Sequence, residues 1–360
     1  MSLPPAMNYY SDAAVKDRIH DYCRGGPVDA RALTARYLVG YGPTSHSDTG
    51  ERKELFDCNK LDQLLESGLD CSRSMWDSHS TVVVLDVDYQ NVDFPGEAFL
   101  NPSLTYAKLE PVYQCITAKL HAFGIAYVAT MTGKGYHLVW RVPDGRTLSR
   151  KLLGLGALSK TLEVKYARPH PPVGDAIPDD KARSFAGLGL LMEFLCHEIM
   201  RQATISSVLP VVSTGLAVGS TLTGREAVSL DLAAHGDPLY LRDFRSPFSR
   251  YQKHVIQRGL VGDQVARRVP FIACLPRNGL PLRDLLSIRM RPEAAVELAR
   301  TASTEIPDGT RGTSKLLRLY EGSVLAAFHQ EFSQCPQEPP ERWTESYDRL
   351  NLAALPSCVA

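Results

Sequence analysis

The stretch TVVVLDVDY, residues 81–89, decides the fold of this chain. It is short, apolar and rich in β-branched residues, so it predicts a buried strand. Because side chains alternate along a strand, Asp86 and Asp88 lie on the same face of it. Two neighbouring carboxylates repel each other and lose hydration, and a hard cation offsets both effects. The stretch therefore favours a metal site at a strand end, with two solvent-facing aspartates as the alternative.

A hairpin is predicted after this strand. Residues 125–131 and 136–142 both read as strands, and they flank a four-residue turn that contains glycine. On the second strand one face is wholly apolar and is expected to pack on helices; it consists of Tyr136, Leu138, Trp140 and Val142. His137 and Arg141 are then expected on the opposite, open face.

The order of elements defines the fold class. Residues 104–123 have apolar side chains at helical spacing, with Gly124 as the predicted stop. Residues 227–232 predict a short strand on which Asp231 lies opposite an apolar face. The order β-α-β-β resembles half of a ferredoxin-like or RRM-like sheet. We therefore expect an α/β protein of the α+β kind, with a mixed or antiparallel sheet and helical additions.

Other elements are predicted from periodicity and composition. Helical patterns cover residues 12–22, 57–67, 150–164, 187–207 and 314–332. Four prolines make residues 168–180 a predicted loop, and residues 267–275 are expected to form a last strand. The first 75 residues show no predicted strand and no obvious chemistry.

Composition and charge describe a globular protein of 360 residues, with 44% hydrophobic and 22% charged residues. The 40 basic and 40 acidic side chains balance, but their distribution is uneven. Residues 141–168 hold seven basic and two acidic residues, and residues 242–291 hold eleven and three. Such segregation permits a basic groove for a polyanion, although solvated helix faces explain it equally well.

Cysteine usage and hydropathy favour a reducing compartment. Eight cysteines include no CxxC pair, and Cys58, Cys71 and His79 match no standard zinc spacing. Isolated reduced thiols are the preferred interpretation. No signal peptide is visible, and no apolar run reaches the roughly 18 residues that span a membrane. The sequence therefore predicts a cytoplasmic protein that does not bind membranes.

The three polar strands resemble the ordered motifs of one known family, the archaeo-eukaryotic primase superfamily of primase-polymerases. The motifs are VVVLDVDY (82–89), TGKGYHLVW (132–140) and SLDL (229–232), followed by an Arg/Ser segment, RSPFSRYQKH (245–254). The resemblance covers roughly residues 75–255. It implies a catalytic domain over residues 1–280, and residues 281–360 are expected to form a mostly helical accessory region.

The resemblance also implies an activity and roles for matched residues. The activity is that of a DNA primase or polymerase, which transfers nucleotides from NTPs or dNTPs to a 3′-hydroxyl or to an initiating nucleotide on a single-stranded DNA template. Asp86, Asp88 and Asp231 would be catalytic and would bind Mg²⁺ or Mn²⁺, with Asp237 as a rival to Asp231. The expected nucleotide-binding residues are His137, Gly133, Lys134, Gly135, Arg245 and Ser249. The expected nucleic-acid-binding residues are Arg242, Lys253, His254 and Arg258.

Accompanying expectations concern neighbours and partners. Phe244, Phe248 and Tyr251 are candidates for base stacking, and Lys165 and Arg168 are further candidates for phosphate contacts. The chain has no GxxxxGK[ST] sequence, so a helicase partner would be a separate protein.

The sequence is compatible with three other functions. Haloacid-dehalogenase-like phosphatases use DxDx[TV], from which Tyr89 and Gln90 depart. Metal-dependent glycosyltransferases also use DxD, but they need neither the histidine hairpin nor the basic stretch. A non-catalytic factor that binds single-stranded nucleic acid on a primase-like fold is the third alternative.

Overall fold

The structure is a computed structural model that describes residues 9–24, 32–42, 53–213, 219–221, 224–239, 242–252, 258–277 and 279–335. The chain divides into two compact units, Met1–Leu319 and Tyr320–Ala360. The boundary predicted at residue 280 stays a prediction. No helix within the described ranges is long and apolar enough to cross a membrane.

The larger sheet holds the motif strands. Its strands within the described residues are β4 (Ser80–Asn91), β5 (Val128–Met131), β6 (Gly135–Pro143), β7 (Val211–Val212), β8 (Gly219–Thr221), β9 (Gly224–Asp231) and β11 (Leu275–Pro276). They run in the order β11-β5-β6-β4-β9-β7, with β8 beside β9. Only β7 and β9 pair in parallel; the other pairs are antiparallel. This mixed sheet confirms the predicted fold class.

A smaller antiparallel sheet was not predicted. It consists of β1 (Tyr37–Tyr41), β2 (Lys53–Asp57), β3 (Asp70–Ser74) and β10 (Asp243–Arg245), in the order β10-β3-β1-β2. Its strand β3 is buried throughout although its sequence, DCSRS, is polar. The Arg73 guanidinium reaches Asp77 at 2.7 Å, and Asp70 pairs with Arg245. Because β3 buries charged residues in ion pairs, its sequence does not alternate between apolar and polar residues. The pattern that usually predicts a strand is therefore missing.

Helices flank the two sheets. The described helices are α1 (Ala13–Cys23), α2 (Leu61–Glu66), α3 (Glu97–Leu100), α4 (Pro102–Phe123), α5 (Thr147–Leu155), α6 (Lys160–Tyr166), α7 (Asp179–Ser206), α8 (Arg258–Ala266), α9 (Leu282–Ile288), α10 (Pro292–Thr301), α11 (Thr310–Glu321) and α12 (Val324–Gln334). The order β4-α4-β5-β6 confirms the predicted β-α-β-β unit. Gly124, with φ 74°, ends α4 as expected.

Several predicted boundaries are wrong. The single helix expected over 150–164 is two helices, because the chain leaves α5 at Gly156, where a Cβ would lie 1.9 Å from the Arg183 carbonyl oxygen of α7. Helix α7 begins inside the predicted loop. Of the strand expected over 267–275, only its last residue belongs to a strand, the two-residue β11. The helix expected over 314–332 is broken before α12, where Ser323 caps the new helix.

The face of β6 that was expected to be open is largely covered. Tyr136, Leu138 and Trp140 are fully buried, which confirms the predicted apolar face. On the other face, however, Val139 is also fully buried and Arg141 is only 7% exposed. The carboxylates of Asp77 and Glu305 lie near Arg141. This face of β6 is therefore covered by segments outside the sheet, and these segments carry the charges that pair with Arg141. The periodicity of a strand does not reveal such coverage.

Candidate active site

Asp86 lies at the centre of a row of polar side chains that crosses three strands. In the antiparallel pairing of β4 with β6, Asp86 stands opposite His137. In the pairing of β4 with β9, the same residue stands opposite Asp231. The next alternate position of β4, Asp88, pairs with Gly135 on one side and Ser229 on the other. The sheet register therefore brings Asp86, Asp88, His137 and Asp231 together on one face, as predicted.

The rival third acid, Asp237, lies elsewhere. Its carboxylate pairs with the Lys165 ammonium and accepts a hydrogen bond from the Tyr166 hydroxyl at 2.6 Å. Lys165 is held by the same pair. Neither residue belongs to the row of paired strand positions, so the register favours Asp231 as the third acid.

The three carboxylates each have a different local partner. Asp88 Oδ2 lies 2.7 Å from Lys134 Nζ, and Asp86 Oδ1 lies 3.5 Å from His137 Nε2. Asp231 Oδ1 accepts a 2.8 Å hydrogen bond from the Ala233 amide, which caps the 3₁₀ turn Ala233–His235. In this arrangement, no three His, Cys, Asp or Glu side chains of the described ranges are placed together to hold a metal ion.

The electrostatics of the row nevertheless suit a cation. Burial raises the pKa of Asp86 well above its usual value, and the charges of Asp88 and Asp231 raise it further. Asp86 Oδ1 is buried and makes no hydrogen bond to any described residue. Carboxylate oxygens are the preferred ligands of Mg²⁺ and Mn²⁺. The donor chemistry therefore fits a divalent cation, which would satisfy the unpaired oxygen and reduce the repulsion.

His137 is uncharged at neutral pH. Burial is the largest influence on the pKa of its imidazole and lowers it; Asp88 opposes this effect, the Arg245 charge adds to it, and the resulting pKa is about 4. His137 Nδ1 is also buried without a hydrogen-bond partner in the described part of the chain. A neutral ring with one unpaired nitrogen can accept or donate one more hydrogen bond, so it is able to contact a ligand.

The hairpin turn is tied to the acidic strand. The Lys134 carbonyl accepts a 2.9 Å hydrogen bond from the Tyr89 amide. A Cβ on Gly135 would lie 1.7 Å from the Val87 carbonyl oxygen, so only glycine fits there. At Gly133 the nearest atoms would be 3.5 Å away, in the Tyr251 ring. Gly135 thus allows the two strands to approach, whereas Gly133 would meet only ordinary van der Waals contacts.

A cavity of about 340 Å³ opens beside Asp88 and His137. Residues of the motif hairpin form one wall: Thr132, Gly133, Lys134 and His137. The segment around β10 supplies Arg242, Asp243, Phe244, Arg245 and Tyr251, and the smaller sheet adds Tyr41, Lys53 and Ser72. The cavity therefore lies between the two sheets, and four basic side chains face it.

Arg245 is fixed in the wall of this cavity. Its guanidinium lies 2.7 Å from Asp70 Oδ2, and Asp70 is fully buried. The guanidinium also lies 4.9 Å from the centre of the Tyr251 ring. Burial favours a lower pKa for Arg245, but the nearby groups Asp70, Tyr251 and Cys274 and the hydrogen bond to Asp70 together outweigh burial and raise the pKa. The cation is held rigidly, and it projects from the smaller sheet.

Other predicted site residues are placed differently. Ser249 is fully buried, and its hydroxyl accepts a 2.7 Å hydrogen bond from the Cys71 amide, so the structure does not bring it to the cavity. Phe244 and Phe248 are buried, which leaves Tyr251 as the more accessible aromatic. Lys253 and His254 lie outside the described residues. Arg258 begins α8, but its side chain lies outside them too. Arg168 is exposed and is absent from the cavity lining.

Sequence reasoning missed several residues near the row. Lys53, Tyr41, Ser72 and Asp243 belong to the unpredicted sheet, so no motif pointed to them. His235 follows Asp231 by four residues, and burial is the main reason that its pKa is lowered to about 4. Its position directly after the SLDL motif was the available signal.

Comparisons with known proteins yield a structural likeness and no matching family. No protein-family model matches the chain, and a search of curated proteins finds no match. Among solved structures, the chain matches the polymerase domain from Mycobacterium tuberculosis Ligase D, in complex with DNA, with 11% sequence identity and a TM-score of 0.43. The match covers 83% of this chain and 88% of that chain.

Proposed function

We propose that this protein is a DNA primase-polymerase that transfers nucleotides, directed by a single-stranded DNA template and dependent on Mg²⁺ or Mn²⁺. The observation that supports this proposal is the pairing of Asp86 with His137 on one side and Asp231 on the other, beside a cavity with basic walls. A row of acidic side chains beside a cavity that is lined by basic side chains suits a metal-bound triphosphate.

Each part of the site has a distinct task in this proposal. Asp86, Asp88 and Asp231 would hold the cation, which when bound neutralises phosphate charge and activates the attacking hydroxyl. Lys134, Arg242 and Arg245 would bind the triphosphate oxygens in the cavity. The neutral imidazole of His137 would hydrogen-bond a phosphate oxygen at the boundary between acids and bases. The Gly133 backbone is open to the cavity and allows close approach of a ligand.

The nucleic-acid roles extend from the same face. Arg242 follows the third acid by eleven positions and lines the cavity. Lys253, His254 and Arg258 follow in sequence, and we propose that they continue the basic surface toward the template strand. Tyr251 is available to stack on a base at the cavity wall.

The experiment is incorporation of labelled nucleotides on a single-stranded DNA template with Mn²⁺, with and without a primer. Extension of a primer is the expected result. Products formed without a primer would show that the protein also starts new chains. The control is Asp86→Asn, which keeps the shape of the side chain and removes its charge. Wild-type protein that binds the template but incorporates nothing would favour the non-catalytic factor. Equal incorporation by Asp86→Asn and wild type would contradict the proposed metal site.

A further inference from the structure

The Lys134 ammonium already occupies a cation position in the acidic row. Its Nζ lies 2.7 Å from Asp88 Oδ2, with 45% of the lysine side chain and 19% of the aspartate side chain exposed. A lysine ammonium this close to a carboxylate forms an ion pair with it, so Lys134 neutralises one carboxylate of the row.

The backbone of Lys134 is fixed by hydrogen bonds, whereas its side chain is held only through its ammonium at Asp88. The Lys134 carbonyl accepts a hydrogen bond from the Tyr89 amide, and the flanking residues Thr132 and Gly135 exchange hydrogen bonds of 2.9 and 3.0 Å. The side chain, in contrast, lines the cavity that Arg242 and Arg245 also face. Four methylene groups separate its backbone from its charge, so the ammonium can leave Asp88 and still remain within the cavity.

We propose that Lys134 and a divalent cation exchange at Asp88: Lys134 holds this carboxylate in the metal-free site and moves to the nucleotide's phosphates when the cation binds. This proposal rests on the proposed function, and it adds an order of events. An ammonium 2.7 Å from Asp88 Oδ2 repels a divalent cation that would bind the same carboxylate at about 2.1 Å, so the two positive charges compete for it. In the metal-free structure, each of the three acids lies beside a different neighbour of its own, and this arrangement is the state before the exchange.

The exchange makes metal and nucleotide binding cooperative. A cation that binds alone must displace Lys134 and leave its charge without a partner. A triphosphate supplies a new partner for that charge, so each ligand lowers the cost of binding the other. Without nucleotide, Lys134 therefore weakens metal binding; with nucleotide, it strengthens nucleotide binding.

The test is Mn²⁺ affinity of the nucleotide-free protein, measured from the free-ion signal in electron paramagnetic resonance. Lys134→Met should bind Mn²⁺ roughly threefold to tenfold more tightly than wild type, because one competing ion pair is lost. Lys53→Met is the matched control: it removes a positive charge from the opposite wall of the same cavity, and its Mn²⁺ affinity should change less than about twofold. Lys134→Gln, which is polar but uncharged, should behave as Lys134→Met does.

The outcomes separate this exchange from the proposed function. Lys134 variants that bind Mn²⁺ no more tightly than Lys53→Met would overturn the exchange, while nucleotide incorporation by wild type would leave the proposed function intact. Tighter Mn²⁺ binding by both Lys134 variants, with a raised KM for nucleotide, would support the exchange. A wild type and Lys134 variants that all fail to bind Mn²⁺ would overturn it, and absence of incorporation would then remove the proposed function as well.

Discussion

Asp86 and Asp231 stand directly opposite each other in the antiparallel pair of β4 and β9. Opposed positions on neighbouring strands place their Cβ atoms about 4.5–5.5 Å apart, and like charges there destabilise the pair. Burial and the charges of Asp88 and Asp231 together raise the pKa of Asp86. The sheet therefore tolerates a repulsion that contributes nothing to folding, which is typical of a site built to bind a cation.

The first prediction is that Asp86→Asn stabilises the metal-free protein at pH 8. The folded-state pKa of Asp86 lies above its unfolded value, so the folded protein binds more protons and loses stability as pH rises between the two values. The amide removes that loss. The gain in free energy of unfolding should therefore be largest at pH 8 and should shrink toward pH 4, where the wild-type carboxyl is protonated.

Urea unfolding in EDTA at the two pH values measures this difference. Asp88→Asn is a useful comparison. It also removes the ion pair with Lys134, so it should gain less stability than Asp86→Asn does. Equal stability of wild type and Asp86→Asn at both pH values would show that the repulsion is relieved by other means.

The second prediction concerns metal removal. Mn²⁺ should raise the melting temperature of the wild type, because a ligand that binds only the folded state stabilises it by mass action. At a concentration 100 times the Kd, the gain is about 2.7 kcal/mol. Asp86→Asn should show little of this gain, and its nucleotide incorporation should fall by at least about 100-fold. Ca²⁺ and Mg²⁺ titrations by differential scanning fluorimetry serve as controls, and an equal shift in both proteins would contradict the metal site.

The motif face was predictable because strand periodicity is strict. A period of two places Asp86, Asp88 and His137 without knowledge of the rest of the fold. The hairpin with Gly135 set the register of β6 against β4, and the short strand at Asp231 needed only to pair with β4. Strand periodicity, the hairpin and the pairing of neighbouring strands were therefore sufficient to predict the acidic row.

The second wall of the cavity was not predictable in the same way. Its strand β3 buries Asp70 and Arg73 through partners that are distant or irregular in sequence, so its composition indicates a loop. Arg245 was found by resemblance, but its anchor, Asp70, lies 175 residues away along the chain. Ser249, four residues after Arg245 in the same segment, is buried in the core and accepts a hydrogen bond from the Cys71 amide. Only the contacts of the folded protein show that Arg245 lines the cavity and that Ser249 belongs to the core.

The third prediction separates two glycines of one turn. Gly135→Ala should destabilise the protein by about 3 kcal/mol, because its Cβ would overlap the Val87 carbonyl oxygen and would push β6 away from β4. Gly133→Ala meets only ordinary contacts with the Tyr251 ring, so its stability should stay within about 0.5 kcal/mol. Urea unfolding of both variants checks the pair, and similar losses at the two positions would contradict the assigned close approach.

The fourth prediction concerns His137. His137→Ala should raise the KM for nucleotide roughly 10- to 100-fold, because a hydrogen bond to a charged phosphate contributes about 1.5–3 kcal/mol. The Kd for single-stranded template should stay unchanged. Steady-state kinetics beside fluorescence anisotropy of a labelled template separate the two constants. Loss of template affinity with an unchanged KM would move His137 out of the nucleotide site.

The last prediction contrasts two arginines of the cavity wall, Arg242 and Arg245. Arg245→Met should lower the free energy of unfolding by about 3 kcal/mol, because it leaves the fully buried Asp70 without its ion pair. Arg242 makes no ion pair with any residue that the structure describes, so Arg242→Met should change stability by less than about 0.5 kcal/mol. Any functional loss in Arg242→Met then comes from the site itself, through a lost ligand contact or through the lost effect of the Arg242 charge on Asp86, and not from loss of stability.

The salt dependence of template binding assigns that contact. If Arg242 neutralises a template phosphate, the slope of log K against log salt concentration should flatten by roughly 0.7 in Arg242→Met, since one fewer counterion is released from a single strand. If Arg242 binds the triphosphate instead, the slope should hold while the KM for nucleotide rises. An unchanged slope with unchanged incorporation would show that the Arg242 charge, which lowers the pKa of Asp86, serves only to moderate the repulsion within the acidic row.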